Sequence, residues 1–196
     1  MLTKQAKIVS KPQLIRLLDH AGRSRYPERD RVIVLLSFKA GLRAKEIAGL
    51  TWSIVTDASG DLADVISLPN QASKGKRGGR VIPIHPELSE ALAALKAVAG
   101  DRCRPHLPIV YSERGKGYSA NAIAVWFHTR YRELGIEGAF SHSGRRSFIT
   151  ATAKKITEAG GSLRDIQELA GHSSLATTQR YIVGDTTAKR KVIAMI

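Results

Sequence analysis

Residues 40–52 read AGLRAKEIAGLTW, and the folding of this stretch decides the architecture on either side of it. Gly41 lacks a Cβ and is suited to end the helix that precedes it. Ala44 to Leu50 has the makeup of a short helix, so Arg43 is expected at a tight corner between two helices. Upstream, a helix runs from about Pro27 to Lys39. Val32, Ile33, Leu35, Leu36 and Phe38 make it apolar on most sides, as a helix inside a core must be. Earlier still, Ser10 reads as an N-cap with Pro12 in the first turn, followed by apolar Leu14, Ile15, Leu17 and Leu18. Residues 1–10 are polar and basic and read as a loose arm.

Downstream of the corner the pattern changes. Trp52, Ile54 and Val55 alternate with polar residues, Asp57 to Asp61 is turn chemistry, and Val65, Ile66 and Leu68 predict a second strand. A loop from Ser73 to Arg80 carries Lys74, Lys76, Arg77 and Arg80 among three glycines, and Val81 to Ile84 predicts a third strand. From Pro86 the helical period returns, with Leu88, Leu92, Leu95 and Val98 as a stripe that Gly100 ends. Further helices are expected at Asn121–Leu134, Ser141–Ala159, Ser162–Ala170 and Thr177–Tyr181. The tail from Asp185 to Ile196 has Val192, Ile193 and Ile196 on one face. The expected fold is mainly α with a small antiparallel β-sheet (α+β). It has a basic arm at 1–10, one domain over 11–184 and a tail at 185–196.

Composition narrows the function. Of 196 residues 43% are hydrophobic, enough for a core, and 31 lysines and arginines outweigh 17 acidic residues to give a net charge of +14. A folded domain this basic suits a polyanion, and nucleic-acid backbones are the commonest one. Cys103 is the only cysteine, which excludes an intrachain disulfide and a cysteine-ligated zinc site. The start, MLTKQAKIVSK, has no apolar h-region, and no segment is long enough to span a bilayer, so a cytoplasmic protein is expected. The six histidines lack metal-site spacing, and Gly75, Gly78 and Gly79 lie in a hairpin rather than between a strand and a helix. No metal or nucleotide cofactor is therefore expected.

What remains is a set of cationic and proton-transfer residues. His142-Ser143-Gly144-Arg145 would set His142 and Arg145 on one face of a helix's first turn. Gly171-His172 closes the next helix, with Tyr181 beyond it. Taken singly each is ambiguous. Tyr181 by spacing alone is a core tyrosine, Arg43 with Glu46 an ordinary i, i+3 pair, and Lys74 one more hairpin lysine.

Together, AGLRAKEIAGLTW, SKGKRGGRVIPIHPEL, SHSGRRSFIT and LAGHSSLATTQRYI stand in the order and at about the spacing found in the tyrosine recombinase (phage integrase) family, which the chain resembles from about Ser10 to Tyr181. The resemblance makes Arg43 and Arg145 the paired arginines, Lys74 the hairpin lysine, His142 and His172 the histidines and Tyr181 the nucleophile. Glu46 would orient Arg43 from behind. Two departures stand out. Gly144 occupies a position where the family usually has leucine, which bears on packing more than chemistry. Counted back from Pro83, the hairpin is one residue longer than usual, so Lys76 competes with Lys74.

The residue types suit such chemistry. Arginine forks can hold the non-bridging oxygens of a phosphodiester and stabilise the charge of its pentavalent transition state. A tyrosine phenol, with a usual pKa near 10, needs a base at neutral pH, and a histidine titrates in the right range. His142 is the base implied by the resemblance, with His172 on the phosphate and the lysine protonating the leaving 5′ oxygen. Lys76, Arg77, Arg80 and Arg146 read as DNA phosphate contacts.

The resemblance implies a site-specific recombinase acting on double-stranded DNA by integration, excision or inversion, bacterial or phage-encoded and nucleoid-associated. It would be a monomer in solution and a homotetramer on DNA, with accessory DNA-bending or directionality proteins and a tail docking on a neighbouring subunit. A type IB topoisomerase or a non-cleaving DNA-binding protein are the alternatives. Most members carry a separate N-terminal DNA-clamping domain, so the chain reads either as a short single-domain member or as part of a longer protein.

Overall fold

The computed structural model describes residues 6–69, 79–181 and 193–194. Its elements are α1 (Lys11–Gly22), α2 (Pro27–Phe38), α3 (Ala44–Ala48), β1 (Val65–Leu68), β2 (Arg80–Pro83), α4 (Pro86–Ala99), α5 (Ala120–Glu133), α6 (Ser143–Lys155), α7 (Leu163–Ala170) and α8 (Leu175–Gln179). Lys74, Lys76 and Arg77 lie outside the described residues, as do 182–192 and 195–196, on which the tail-docking reading chiefly rests.

Helix α2 is the axis of the fold. Val32, Ile33, Val34, Leu35 and Leu36 are all fully buried, and α1, α4 and α6 pack around them. The cap expected at Ser10 forms with Gln13 as its reciprocal partner, a two-way satisfaction of otherwise orphaned N–H groups. Residues 6–10, read from composition as a loose arm, are instead tied down. Lys7 N donates to Gly138 O, Val9 N donates to Ser147 Oγ, and the Val9 side chain is buried. None of the described helices is long and apolar enough to cross a membrane.

The sheet is smaller than expected. Among the described residues it has two antiparallel strands, with Ile66 opposite Ile82 and Leu68 opposite Arg80. The stretch predicted as the first strand is a 3-10 turn at Trp52–Ile54, flanked by isolated bridges from Thr51 to Pro108 and Thr56 to Leu62. Trp52 and Val55, both buried, are three apart and so fall on one side of such a turn, which in sequence mimics alternation. A similar correction applies to α4. Leu88, Leu92 and Leu95 are buried, but the stripe continues through Ala99, and Val98 is 60% exposed. Eleven residues bring a helix back to nearly the same face, whereas ten fall well short.

Gly144 sits where α6 crosses α2. A Cβ there would come within 2.3 Å of Ser37 Oγ and 2.8 Å of Phe38 Cδ2, so glycine permits a close approach that the Phe38 ring fills. Gly144→Ala is expected to destabilise the domain by about 1–3 kcal/mol, the usual cost of overpacking. It should lower the urea midpoint at unchanged slope; a midpoint at or above wild type would show that the two helices separate freely.

Candidate active site

The site is built on the C-terminal end of α7. Ser162 and Asp165 cap its start reciprocally, with Ser162 N donating to Asp165 Oδ2 at 2.7 Å. Gly171 ends it in the left-handed region at φ 59°, and His172 N then donates back to Gln167 O. The last carbonyls of a helix lack intrahelical partners and carry the negative end of its dipole, a natural seat for cations. Three arginines take it. Arg145 Nη2 donates to Ala170 O, Arg80 Nη1 to Ala170 O at 3.2 Å, and Arg43 Nη2 to Gly171 O at 3.4 Å.

The corner at Arg43 forms as residues 40–52 predicted. Gly41 adopts φ 64°, and its carbonyl accepts from Arg145 Nη1 at 2.6 Å. A Cβ on Gly41 would collide with the Phe148 ring of α6, so the corner and the helix bearing Arg145 close on each other only because residue 41 is glycine. Arg145 is 3% exposed, and burial, followed by the charges of Arg43 and Arg80, pulls its guanidinium pKa down to about 9.

Glu46 lies beneath the cluster, 1% exposed. Its Oε2 accepts from Arg43 N at 2.8 Å and its Oε1 from Arg43 Nη1 at 2.9 Å. Arg80 adds two further bonds, Nη1 to Oε1 at 3.0 Å and Nη2 to Oε2 at 2.9 Å. Burial pushes the carboxyl pKa up. Arg80 first, then the Arg43 N–H and the charges of Arg43 and Arg145, outweigh that and hold it below the usual carboxylate range.

His142 is the N-cap residue of α6 and is exposed. Partial desolvation, then the nearby charges of Arg145 and Arg43, lower its pKa and favour the neutral ring. His172 stacks on Tyr181, with ring centroids 5.4 Å apart and planes 23° apart. Its Nδ1 pairs with the buried Thr178 Oγ1 at 3.0 Å, so α8 fixes the ring plane. Desolvation and the charges of Arg145, Arg43 and Arg80 lower its pKa to about 4. Tyr181 follows α8 directly and packs, half-buried, on a small cluster of Ile149, Ile166 and Ala170.

Arg43, Glu46, Arg145, His142, His172 and Tyr181 are therefore brought together. Two expected phosphate contacts are not free surface cations. Arg80 has an 8% exposed side chain paired to Glu46, and Arg146 Nη1 donates to Ala6 O at 2.9 Å, tying residues 6–10 to α6. Sequence reading missed Thr178 and the carbonyls of Gly41 and Ala170, none of which carries a signal in residue type. Arg80 did carry one: strand alternation sets it on the same face as the buried Ile82, opposite the exposed Val81. Among the described residues no cluster of His, Cys, Asp and Glu has the makeup of a metal site.

The sequence and the fold both have known relatives. The model of the phage integrase family matches residues 7–187. The chain is similar to the tyrosine recombinase XerC of Xanthomonas campestris pv. campestris, 28% identical over 180 residues covering 91% of this chain and 51% of that protein. A crystal structure of XerA recombinase superposes with a TM-score of 0.75 at 23% identity, covering 98% of this chain and 66% of that one. The Tn1549 transposon integrase in complex with a circular intermediate DNA gives 0.76 at 17% identity, covering 100% of this chain and 67% of that one. The chain spans about half the length of the curated relatives it matches.

The low pKa of His172 has a testable consequence for stability. On acidification the unfolded chain takes up this proton near 6.5, while the folded chain resists until about 4. The stability this group contributes is thus whole above 6.5 and is lost as pH falls toward 4. The stability difference between wild type and His172→Gln, from urea midpoints, should change in that window, to the detriment of wild type. A difference constant with pH would contradict the assignment.

Proposed function

Since the chain belongs to the phage integrase family, we propose that it is the catalytic domain of a site-specific DNA recombinase that cuts and rejoins strands through a 3′-phosphotyrosine at Tyr181. The observation that carries this reading is the stacking of Tyr181 on His172 beside Arg43 and Arg145, a nucleophile set against two fixed cations and a neutral imidazole.

Arg43 and Arg145 grip the scissile phosphate. Each guanidinium has five N–H donors, and the carbonyls and carboxylate that already hold it fix its plane while leaving donors for the non-bridging oxygens. Their charge stabilises the pentavalent transition state. The phenol of Tyr181 loses its proton to His142, whose lowered pKa keeps it unprotonated and able to accept. The phenolate oxygen bonds to phosphorus as the bond to the 5′ oxygen breaks, and the hairpin lysine, Lys74 or Lys76, protonates the leaving group. His172, held by Thr178, donates to the phosphate. The bond energy is kept in the phosphotyrosine, and attack by a 5′ hydroxyl reverses the step. The partner is double-stranded DNA, which the net charge of +14 favours, with a monomer in solution and a homotetramer on the DNA. Accessory DNA-bending or directionality proteins would choose among integration, excision and inversion.

The test is a nicked suicide duplex carrying candidate sites. Wild type should form a covalent protein–DNA adduct and Tyr181→Phe none. Arg43→Lys and Arg145→Lys should slow adduct formation by about 100- to 1,000-fold, as loss of a transition-state donor does. An adduct persisting in Tyr181→Phe, or none from wild type across a broad site library, would sink the proposal.

A further inference from the structure

Arg80 has the residue type of a phosphate contact and the surroundings of something else. Its side chain is 8% exposed, both terminal nitrogens bond to Glu46, and Nη1 also reaches Ala170 O. Only Nε is unpaired among the described residues, and it is buried. A Cβ on Gly171 would fall 2.2 Å from Arg80 Nη1, so the turn that ends α7 is shaped around this guanidinium.

Glu46 does two opposed things to Arg43. It fixes the guanidinium through Oε1 and the backbone through Oε2, but a buried carboxylate in contact would also cancel much of the charge on which Arg43 depends for gripping an anion. A second cation on the same carboxylate removes the conflict. We propose that Arg80 is a positioning residue, which neutralises Glu46 and locks its plane so that Arg43 is oriented by the carboxylate yet keeps its charge for the phosphate. Three arginines around one carboxylate then leave two positive charges for the substrate, those of Arg43 and Arg145. The bidentate geometry needs arginine, because a lysine ammonium is a point donor and cannot serve both carboxylate oxygens and Ala170 O at once.

The inference rests on the strand-cleavage reading and is tested apart from it. In Arg80→Gln, single-turnover adduct formation on the suicide duplex should fall about 100-fold, the scale of loss when a reacting geometry shifts by an ångström. Affinity for the same duplex should fall far less than the rate, since only one phosphate contact among many is weakened in the ground state. A direct phosphate contact would do the reverse, lowering affinity while sparing the rate, and would do so whether or not Glu46 is charged. Acting through Glu46 also demands non-additivity. In a Glu46→Gln background, adding Arg80→Gln should cost little further rate, because no charge is left to neutralise. Arg80→Lys should lie between wild type and Arg80→Gln. Should Arg80→Gln fail to fold through its unpaired buried carboxylate, the double variant and Arg80→Lys give the same comparison. Rate losses that multiply in the double variant, or an affinity loss with the rate spared, would overturn the proposal. An adduct from wild type with an unaffected rate in Arg80→Gln defeats Arg80 alone; no adduct from wild type defeats the cleavage reading and this one with it.

Discussion

One carboxylate that must stay charged without water constrains the rest of this site. Glu46 has about four acceptor positions, and four donors fill them, two from Arg43 and two from Arg80. A buried ion so completely paired is tolerable; with a partner missing it is strongly destabilising, by about 3–5 kcal/mol. The pairing therefore pins the corner before α3, the first residue of β2 and, through Arg80 and Arg43, the end of α7. Segments far apart in sequence are held to a common geometry by a group that cannot relax.

The arginines repel one another, and their assembly needs negative charge beyond Glu46. The carbonyls at the end of α7 and at Gly41 supply it as dipoles, at no cost in further buried ions. Both sources depend on glycine. Gly41 and Gly171 take backbone conformations that an L side chain resists, and at each a Cβ would strike a neighbouring side chain, Phe148 or Arg80. Desolvation first, and then the same crowding of cations, depresses the pKa of both histidines, leaving neutral rings beside a positive cluster. Polarity is thus divided: a cluster of charged arginines, neutral imidazoles beside it, and a tyrosine stacked on one of them.

Much of the fold was legible from local pattern. The helical stripes placed every long helix to within a few residues, and Ser10, Gly41 and Gly171 marked ends through chemistry that acts over one turn. Failures came where two periods coincide over a short stretch. Trp52 to Val55 reads as alternation and folds as a 3-10 turn, and Val98 fell just off its stripe. The arm at residues 6–10 was misjudged from composition, because its anchors, Ser147, Gly138 and Arg146, are remote in sequence.

For the site, sequence by itself determined which residue types were available and in what order: Arg43, Glu46, His142, Arg145, His172 and Tyr181, each on an element whose local pattern could be read. Tertiary structure alone decided which cations gather at the end of α7 and what each is paired with. Arg80 and Arg146 look like Arg43 and Arg145 on paper, since charge is a property of the residue. Whether that charge is free is a property of what lies against it, and Glu46, Ala170 and Ala6 reach these arginines only once the chain has closed.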